Sequence, residues 1–551
     1  MQNRALELLK TWCDTLLTYR VSSHSPKLDG AILCPCCHSI HGRIADLTFP
    51  LTLLYAKTGD EKYINAADQL IDWTQRNLKR PDGSWRNDAG NQWKGISAFS
   101  AMSVGEAIYN FSDVIPTDIK EKWMKVFLQL TEFLYDFFPK IKPVINYYTG
   151  TACEMALAWK LTGNQKYLAM AQRIQSVCFR NFDENGLLYG EVSECGDIGF
   201  VTEGGCHYID MGYNMEESLP MLVRYSLLTG ENKEFYRDRY RDQLEFLLAD
   251  GGIDDSWGSR HNKWTWWGSR TCDGALEGLA LLADEPIFAT ACEKVLGIYE
   301  KMTVDGLLSL PMAKEADEPT CLHHSFCHAK ALAVLALAEN VTAQRAELPC
   351  EKNYGIKFFQ NSKLALVSHN GWRATVSAVD TLYTKGCENG GGNMTLLMHG
   401  LTPVCAATMR RYSQVEPANM QMLRNSDSVP CMTPRLDFGD YDNLTESGIT
   451  LEKTAPCEVC AKGKDWNIKY SFGEKVIIDV SSERKANFML PVVKSGEIKL
   501  LEDAVEVGNI RVEAKGIKCN SVPMFNQVGG FLWYTLAVEV DKLAVITISA
   551  I

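Results

Sequence analysis

The sequence predicts an α+β, two-domain protein. An N-terminal (α/α)6-type toroid of helical hairpins spans residues 1–345, and a C-terminal antiparallel β-sandwich spans 346–551. Three observations carry this reading. A chain of 551 residues exceeds what one hydrophobic core usually serves. Its first part is helical in pattern and carries a weak internal repeat. From about residue 350 the apolar residues instead alternate with period two, which marks strands with one solvated face.

The repeat defines the helical unit. Thr58-Gly59-Asp60-Glu61-Lys62-Tyr63 recurs as Thr162-Gly163-Asn164-Gln165-Lys166-Tyr167, and less closely as Thr229-Gly230-Glu231-Asn232-Lys233-Glu234-Phe235. Each copy follows an apolar segment (Leu51–Lys57, Cys153–Leu161, Leu219–Leu228) and precedes an amphipathic one (Ile64–Trp73, Leu168–Val177, Tyr236–Leu247). Glycine closes the first helix of each pair because it tolerates positive φ. Two more hairpins fill the gaps, Ala98–Phe111 with Asp118–Phe138 and Gly274–Leu282 with Ile287–Met302. Roughly ten to twelve helices result, the number a ring of hairpins needs.

Strands are expected at Ile356–Phe359, Leu364–Ser368, Arg373–Val379, Met394–Met398, Trp466–Phe472, Val476–Val480, Ala486–Pro491, Ile510–Ala514, Phe531–Val540 and Leu543–Ser549, with Thr342–Tyr354 as the junction.

Composition narrows the function. The net charge is −12 and no Lys/Arg block stands out, which argues against nucleic acid or an anionic membrane as partner. No apolar run is long enough to predict a membrane span. The start reads as a helix rather than a signal peptide. Nineteen cysteines, several in apolar helical contexts (Cys153, Cys178, Cys292), point to reduced thiols. A cytoplasmic location is expected, or a periplasmic one if a signal has been trimmed.

Chemistry concentrates in the loops between hairpins. The densest strip is Glu203-Gly204-Gly205-Cys206-His207-Tyr208-Ile209-Asp210-Met211-Gly212-Tyr213-Asn214, with two carboxylates, a histidine and two tyrosines. Cleavage of a glycosidic bond needs such positioned acids and bases. Asn146 and Tyr147 open the helix that carries Glu154. Trp85 and Trp93 sit among amides and charges, as sugar-stacking rings do. Asp254 to Arg270 adds Asp255, Trp257, Arg260, His261, Trp264 and Arg270. Arginine there suits planar recognition of a carboxylate, which tilts the substrate toward uronic acids.

The run Cys34-Pro35-Cys36-Cys37-His38-Ser39-Ile40-His41-Gly42-Arg43 invites a zinc reading, but it lacks the distant second ligand pair of a structural site. No metal is expected there, and no cofactor anywhere. His41 and Arg43 are read instead as substrate-lining, with Asp46 orienting the arginine. His324 and His328 share a helix face, read as a polar helix start rather than a metal pair.

The toroid-then-sandwich layout resembles the heparinase II/III-like polysaccharide lyases. The local echo is Glu388-Asn389-Gly390-Gly391-Gly392-Asn393-Met394 and the apolar run to Val404, in the place of a His-x-His-x-Asp-x-Gly-Ser-Phe type hairpin. Gly392 and the apolar run match. The histidines and the aspartate do not, since Cys387, Glu388 and Asn389 stand there. A related gut-bacterial group of similar layout hydrolyses terminal β-glucuronic acid.

The resemblance implies a carbohydrate-active enzyme cleaving at uronic acid residues, with a uronate-containing glycan as partner and a homodimer left open. Two mechanisms compete. An exo-acting β-glucuronidase-type hydrolase would use a carboxylate pair, Glu203 with Asp210 first and Glu154 with Asp255 behind. A lyase would use Asn146 or an arginine to neutralise the carboxylate and Tyr208, Tyr213, Tyr147 or His207 as base and acid. In either case His41, Arg43, Trp93, Tyr147, Arg260, His261, Trp264 and Arg270 line the substrate. The missing histidines favour hydrolysis. A non-catalytic glycan-binding protein is the third reading.

Overall fold

Two local rules, a glycine stop and an Asp/Asn start, generate the helical part. In the computed structural model Gly59, Gly163 and Gly230 take φ of 70°, 71° and 84° and close their helices. A Cβ at any of the three would meet nothing, so backbone conformation and not space selects glycine. The side chains of Asp60 and Asn164 then accept from the N–H of Lys62 and Lys166, capping the next helix. The repeat is thus the elbow between an inner and an outer helix.

The structure describes the chain except residues 88–91, 193–196, 260–274, 310–316, 318, 382, 384–385, 387, 389, 417–418, 422–424 and 527–530, and describes 414–416 and 419–421 by backbone alone. Two compact units are present, one of Met1–Phe182, Gly212–Gln243 and Thr271–Ala346, the other of Asp183–Met211, Leu244–Arg270 and Glu347–Ile551. The boundary expected near residue 345 is only the last crossing between them. Two long connections between helical hairpins belong to the second unit, because their polar groups bond to its strands. The Thr202 hydroxyl donates to Asp380 at 2.6 Å, Arg373 donates to the Glu245 carbonyl at 2.6 Å, and Thr375 bonds Asp254.

Twelve longer helices are found among the described residues of the first unit: α1 (Gln2–Thr18), α2 (Thr48–Thr58), α3 (Glu61–Asn77), α4 (Ser97–Phe111), α5 (Thr117–Phe137), α6 (Ile145–Thr162), α7 (Gln165–Phe179), α8 (Leu219–Thr229), α9 (Lys233–Gln243), α10 (Leu276–Leu281), α11 (Pro286–Met302) and α12 (Leu322–Leu337). The even-numbered helices touch in sequence and α12 returns to α2, closing an inner ring. Each packs against one odd-numbered outer helix, and α1 serves α12. Inner helices are buried on every face, as in α4 from Ser97 to Ile108, which is why they read as continuous apolar runs. Outer helices bury a stripe, as α3 does with Tyr63, Ile64, Ala67, Leu70, Ile71 and Thr74. Gly105 allows the tightest approach, since a Cβ there would stand 2.6 Å from Phe127 and 2.7 Å from Leu157.

A buried charge network ties four inner helices. Arg224 on α8 bonds Glu277 of α10 at 2.6 Å and Glu106 of α4 at 2.5 Å, and Lys330 of α12 lies 3.1 Å from Glu277. Burial opposes the Glu277 charge, but Lys330 and Arg224 outweigh it and hold that carboxyl below its ordinary range.

The second unit is antiparallel throughout its named pairs. One meander runs Gly355–Phe359, Leu364–His369, Trp372–Ser377, Asn393–His399, Thr402–Ala406. An eight-stranded sheet is ordered 450–455, 458–462, 466–472, 476–482, 543–550, 510–513, 504–507, 498–501, and a further sheet centres on Ala486–Val493 and Phe531–Val540. Their inner faces share one core, including Trp372, Trp466, Ile468, Tyr470, Ile478, Phe488, Leu536 and Ile546. The fold class read from the sequence, a helical toroid followed by antiparallel sheets, is the one found. Strands 450–455 and 498–501 escape sequence reading because they lie at the sheet edges with mostly exposed side chains and no alternation.

Replacing Arg224 by Met is expected to lower unfolding free energy by about 3–5 kcal/mol, because Glu106 and Glu277 would be left buried against a single lysine. Chemical denaturation of the two proteins measures it.

Candidate active site

Within the helical unit the sequence-predicted residues converge around Arg43. The segment Gly42–Leu47 is a short 3-10 turn that brings Arg43 over Asp46, with Nε and Nη2 at 2.8 and 2.7 Å from Oδ2. Nη1 lies 3.8 Å from Glu217, and the guanidinium carbon stands 5.6 Å from the Phe99 ring centre. Burial works against the charge of Arg43. Asp46, Glu217 and Glu216 more than offset it, so the guanidinium stays protonated.

Asn146, buried in the first turn of α6, donates through Nδ2 to Glu217 at 2.8 Å. A carboxylate only accepts, so this bond sets which end of the amide faces Glu217. Glu217 therefore joins Asn146 to Arg43. Its neighbour Glu216 turns toward His328 instead, at 3.6 Å from Nε2, while His328 Nδ1 bonds the His324 carbonyl at 2.6 Å. Consecutive glutamates reach different partners because Asn214–Ser218 is a π-turn at the entrance to α8. Such turns concentrate at functional sites. Sequence reading passed over Glu216 and Glu217. The signal was an acidic pair ahead of an apolar helix, which also describes an ordinary helix start.

An aromatic row flanks this polar group. Tyr147 is edge-on to Trp93 at 5.1 Å between ring centres and 5.8 Å from Phe99. Trp93 folds back on Gly95, where a Cβ would lie 2.5 Å from the indole. Trp85, by contrast, is fully buried and anchors its loop.

Several expectations are redirected. His41 faces sulfur, with Nε2 at 3.2 Å from Cys37 and 3.7 Å from Cys321. The expectation of no metal at this loop rested on a missing distant ligand, and Cys321 comes from 280 residues away. Glu154 is buried between α5 and α6, against Thr131, and does not join the Arg43 group. Thr131 has one hydroxyl proton and lies 2.9 Å from the Phe127 carbonyl, which only accepts. Glu154, 2.5 Å away, must then supply the proton of the second bond. Burial agrees, pushing its pKa up from 4.5 to about 8.

The strip from Glu203 divides. Glu203 is exposed on a turn of the second unit, whereas Asp210 is fully buried there. Tyr213 belongs to the helical unit. His207 stacks on Tyr189, a residue the sequence did not single out, with ring centres 3.8 Å apart and planes 9° apart. Its Nδ1 lies 3.3 Å from the Phe200 carbonyl. Burial lowers the imidazole pKa, with that carbonyl opposing, so the ring is neutral with Nδ1 donating and Nε2 basic. Tyr208 is buried and packs 5.9 Å from Phe200. Trp257, named with the residue-rich loop that begins at Asp254, is core, 5.0 Å from Phe246, and Asp255 is buried beside it. Arg260, His261, Trp264 and Arg270 lie outside the described residues.

Residues 9–352 match the model of the ulvan lyase N-terminal domain, and residues 356–455 that of the ulvan lyase C-terminal domain. The chain belongs to the ulvan lyase family. A broad-specificity ulvan lyase of Formosa agariphila is 34% identical over 481 residues, covering 83% of this chain and 74% of that protein. Among solved structures, heparinase III shares the fold at TM-score 0.52 and 11% identity, covering 92% of this chain and 76% of that one. The heparan sulfate lyase HepC of Pedobacter heparinus aligns at TM-score 0.46 and 9% identity over 92% and 76%.

This ulvan lyase family member is therefore a carbohydrate-active enzyme, and its fold is one that heparinase III shares. The hydrolase reading finds no support in these matches, which favour the lyase alternative. That reading drew on loop carboxylates, and Glu203, its first candidate, stands exposed on a turn rather than among other site groups.

Glu154 makes stability depend on pH with a definite sign. Below about pH 4.5, the ordinary carboxyl value, both folded and unfolded chains keep its proton. Between there and about pH 8 the unfolded chain releases it and the folded chain does not, so stability falls as pH rises, then levels off. Glu154→Gln, whose amide donates to Thr131 at any pH, is expected to remove that slope. Melting curves of both proteins at pH values spanning the window measure it.

Proposed function

We propose that this family member cleaves uronate-containing, ulvan-type polysaccharide by β-elimination, with Asn146 and Arg43 receiving the uronate carboxylate. The observation that carries the reading is the Glu217 bridge, which holds a buried amide donor and a guanidinium in one place beside an aromatic row. The substrate class follows the named activity of the Formosa agariphila relative.

The chemistry explains the residue types. A proton beside an ionised carboxylate is hard to remove, because the product would gather two negative charges. Donors that strengthen their bonds to the carboxylate as charge moves onto it lower that barrier. The base takes the proton, the electron pair becomes a carbon–carbon double bond, and the bond to the glycosidic oxygen one carbon further breaks. That oxygen leaves with a proton from an acid, and no water is consumed. Tyr213 is the candidate base within the helical unit. Trp93 and Tyr147 offer ring faces for sugar stacking.

Incubation with ulvan-type oligosaccharides, products read by mass spectrometry and by absorbance of the new conjugated double bond, tests the reaction. Unsaturated ends without added water are expected, and hydrated ends would refute elimination. Asn146→Ala is expected to lower kcat about 10²–10³-fold with little change in melting temperature. Glu203→Gln is expected to retain activity, and its inactivation would restore the carboxylate mechanism.

A further inference from the structure

The loop before Arg43 folds as a knuckle. Leu33 and Ile40 pair as an antiparallel bridge, the Cys34 N–H donates to the Ser39 carbonyl at 2.9 Å, and His38 takes the left-handed φ of 54° that completes the reversal. The turn brings Cys34 and Cys37 to one side, and His41 follows with Nε2 at 3.2 Å from Cys37 Sγ. Cys321, the residue just before α12, completes the group, with Sγ at 4.0 Å from Cys34 Sγ and 3.7 Å from His41 Nε2.

The four ligand atoms all lie within 4.8 Å of one another. In a tetrahedral site with zinc–sulfur bonds of about 2.3 Å and zinc–nitrogen bonds of about 2.0–2.1 Å, neighbouring ligand atoms stand about 3.5–3.8 Å apart. The measured separations of 3.2, 3.7 and 4.0 Å bracket that range. Cys34, Cys321 and His41 are buried and Cys37 is half-buried, so solvent does not account for the convergence. Three sulfurs and one imidazole nitrogen form a soft donor set that suits zinc and is wrong for calcium or magnesium.

We propose that Cys34, Cys37, His41 and Cys321 bind one zinc ion as a closed structural site. On binding, the three thiols release their protons to solvent and His41 ligates through Nε2, giving a site of net charge −1. Four protein ligands leave no open position, so the ion fastens the knuckle to the start of α12 and takes no part in bond cleavage. Because Arg43 follows His41 by two residues, the ion also fixes where the 3-10 turn carrying Arg43 begins. Among the described residues no other group of this kind is found.

The test uses the full chain purified without chelator. Plasma mass spectrometry is expected to find about one zinc per chain, and X-ray absorption at the zinc edge a shell of sulfur with one nitrogen neighbour. Cys321→Ser and Cys37→Ser are expected to lose most of that zinc, while Cys36→Ser and Cys292→Ser keep it. Should the ligand variants fail to fold, the absorption spectrum of the unaltered protein still decides. Zinc near zero after the metal is supplied to reduced protein overturns the proposal. So does a zinc shell of oxygen and nitrogen alone, or a Cys34–Cys321 disulfide in the peptide map.

Discussion

The helical unit depends on a buried arginine. Arg224 reaches carboxylates on two other inner helices, and Lys330 draws a fourth helix into the same group. Leucines and alanines on those helices pack in many registers with similar energy, whereas a guanidinium fork matches its two glutamates in one arrangement. The network thereby selects the relative positions of α4, α8, α10 and α12. The residues of the Arg43 group hang from this frame. Asn146 opens α6, Glu216 and Glu217 lead into α8, and His328 stands on α12. A shift of one inner helix would separate an amide, a carboxylate and a guanidinium that now meet within 4 Å.

How much of this was legible varied with the kind of interaction. The Thr-Gly-Asp/Asn elbows were visible because positive φ and N-capping are local demands met by few residue types. Strands such as Trp466–Phe472 and Phe531–Val540 were read to the residue, since one buried face imposes strict alternation. The edge strands 450–455 and 498–501, lacking that constraint, were not. Among site residues, Asn146, Arg43, Trp93 and Tyr147 were picked from composition and are brought into one neighbourhood. Glu217, which links two of them, was missed because its partners lie 71 residues away at Asn146 and further still at Arg43. Cys321 was missed as a partner of the cysteine loop for the same reason. Spacing reveals a ligand pair within a loop, while a fourth ligand delivered by ring closure leaves no local trace.

Charge density in a loop proved an uneven guide to chemistry. The strip from Glu203 to Asn214 is split between the two units, and its carboxylates are respectively exposed and buried. Its histidine has the features of a base, neutral by burial and held by one nitrogen. Glu154 teaches the converse. A buried carboxyl with a pKa near 8 is a familiar mark of catalysis, yet here its proton serves a bond between two helices.

The pairing of α1 with α12 has a consequence for biogenesis. Trp12 donates to Thr303, Gln2 to the Ala338 carbonyl, and Arg4 to Glu300, so the N-terminal helix is held by residues made some three hundred positions later. At ordinary translation speeds its apolar stripe emerges from the ribosome roughly a quarter of a minute to a minute before that partner exists. The ring must wait, open and sticky along one flank, until the last hairpin arrives. The step that ends the exposure is one of circular closure rather than of sequential addition.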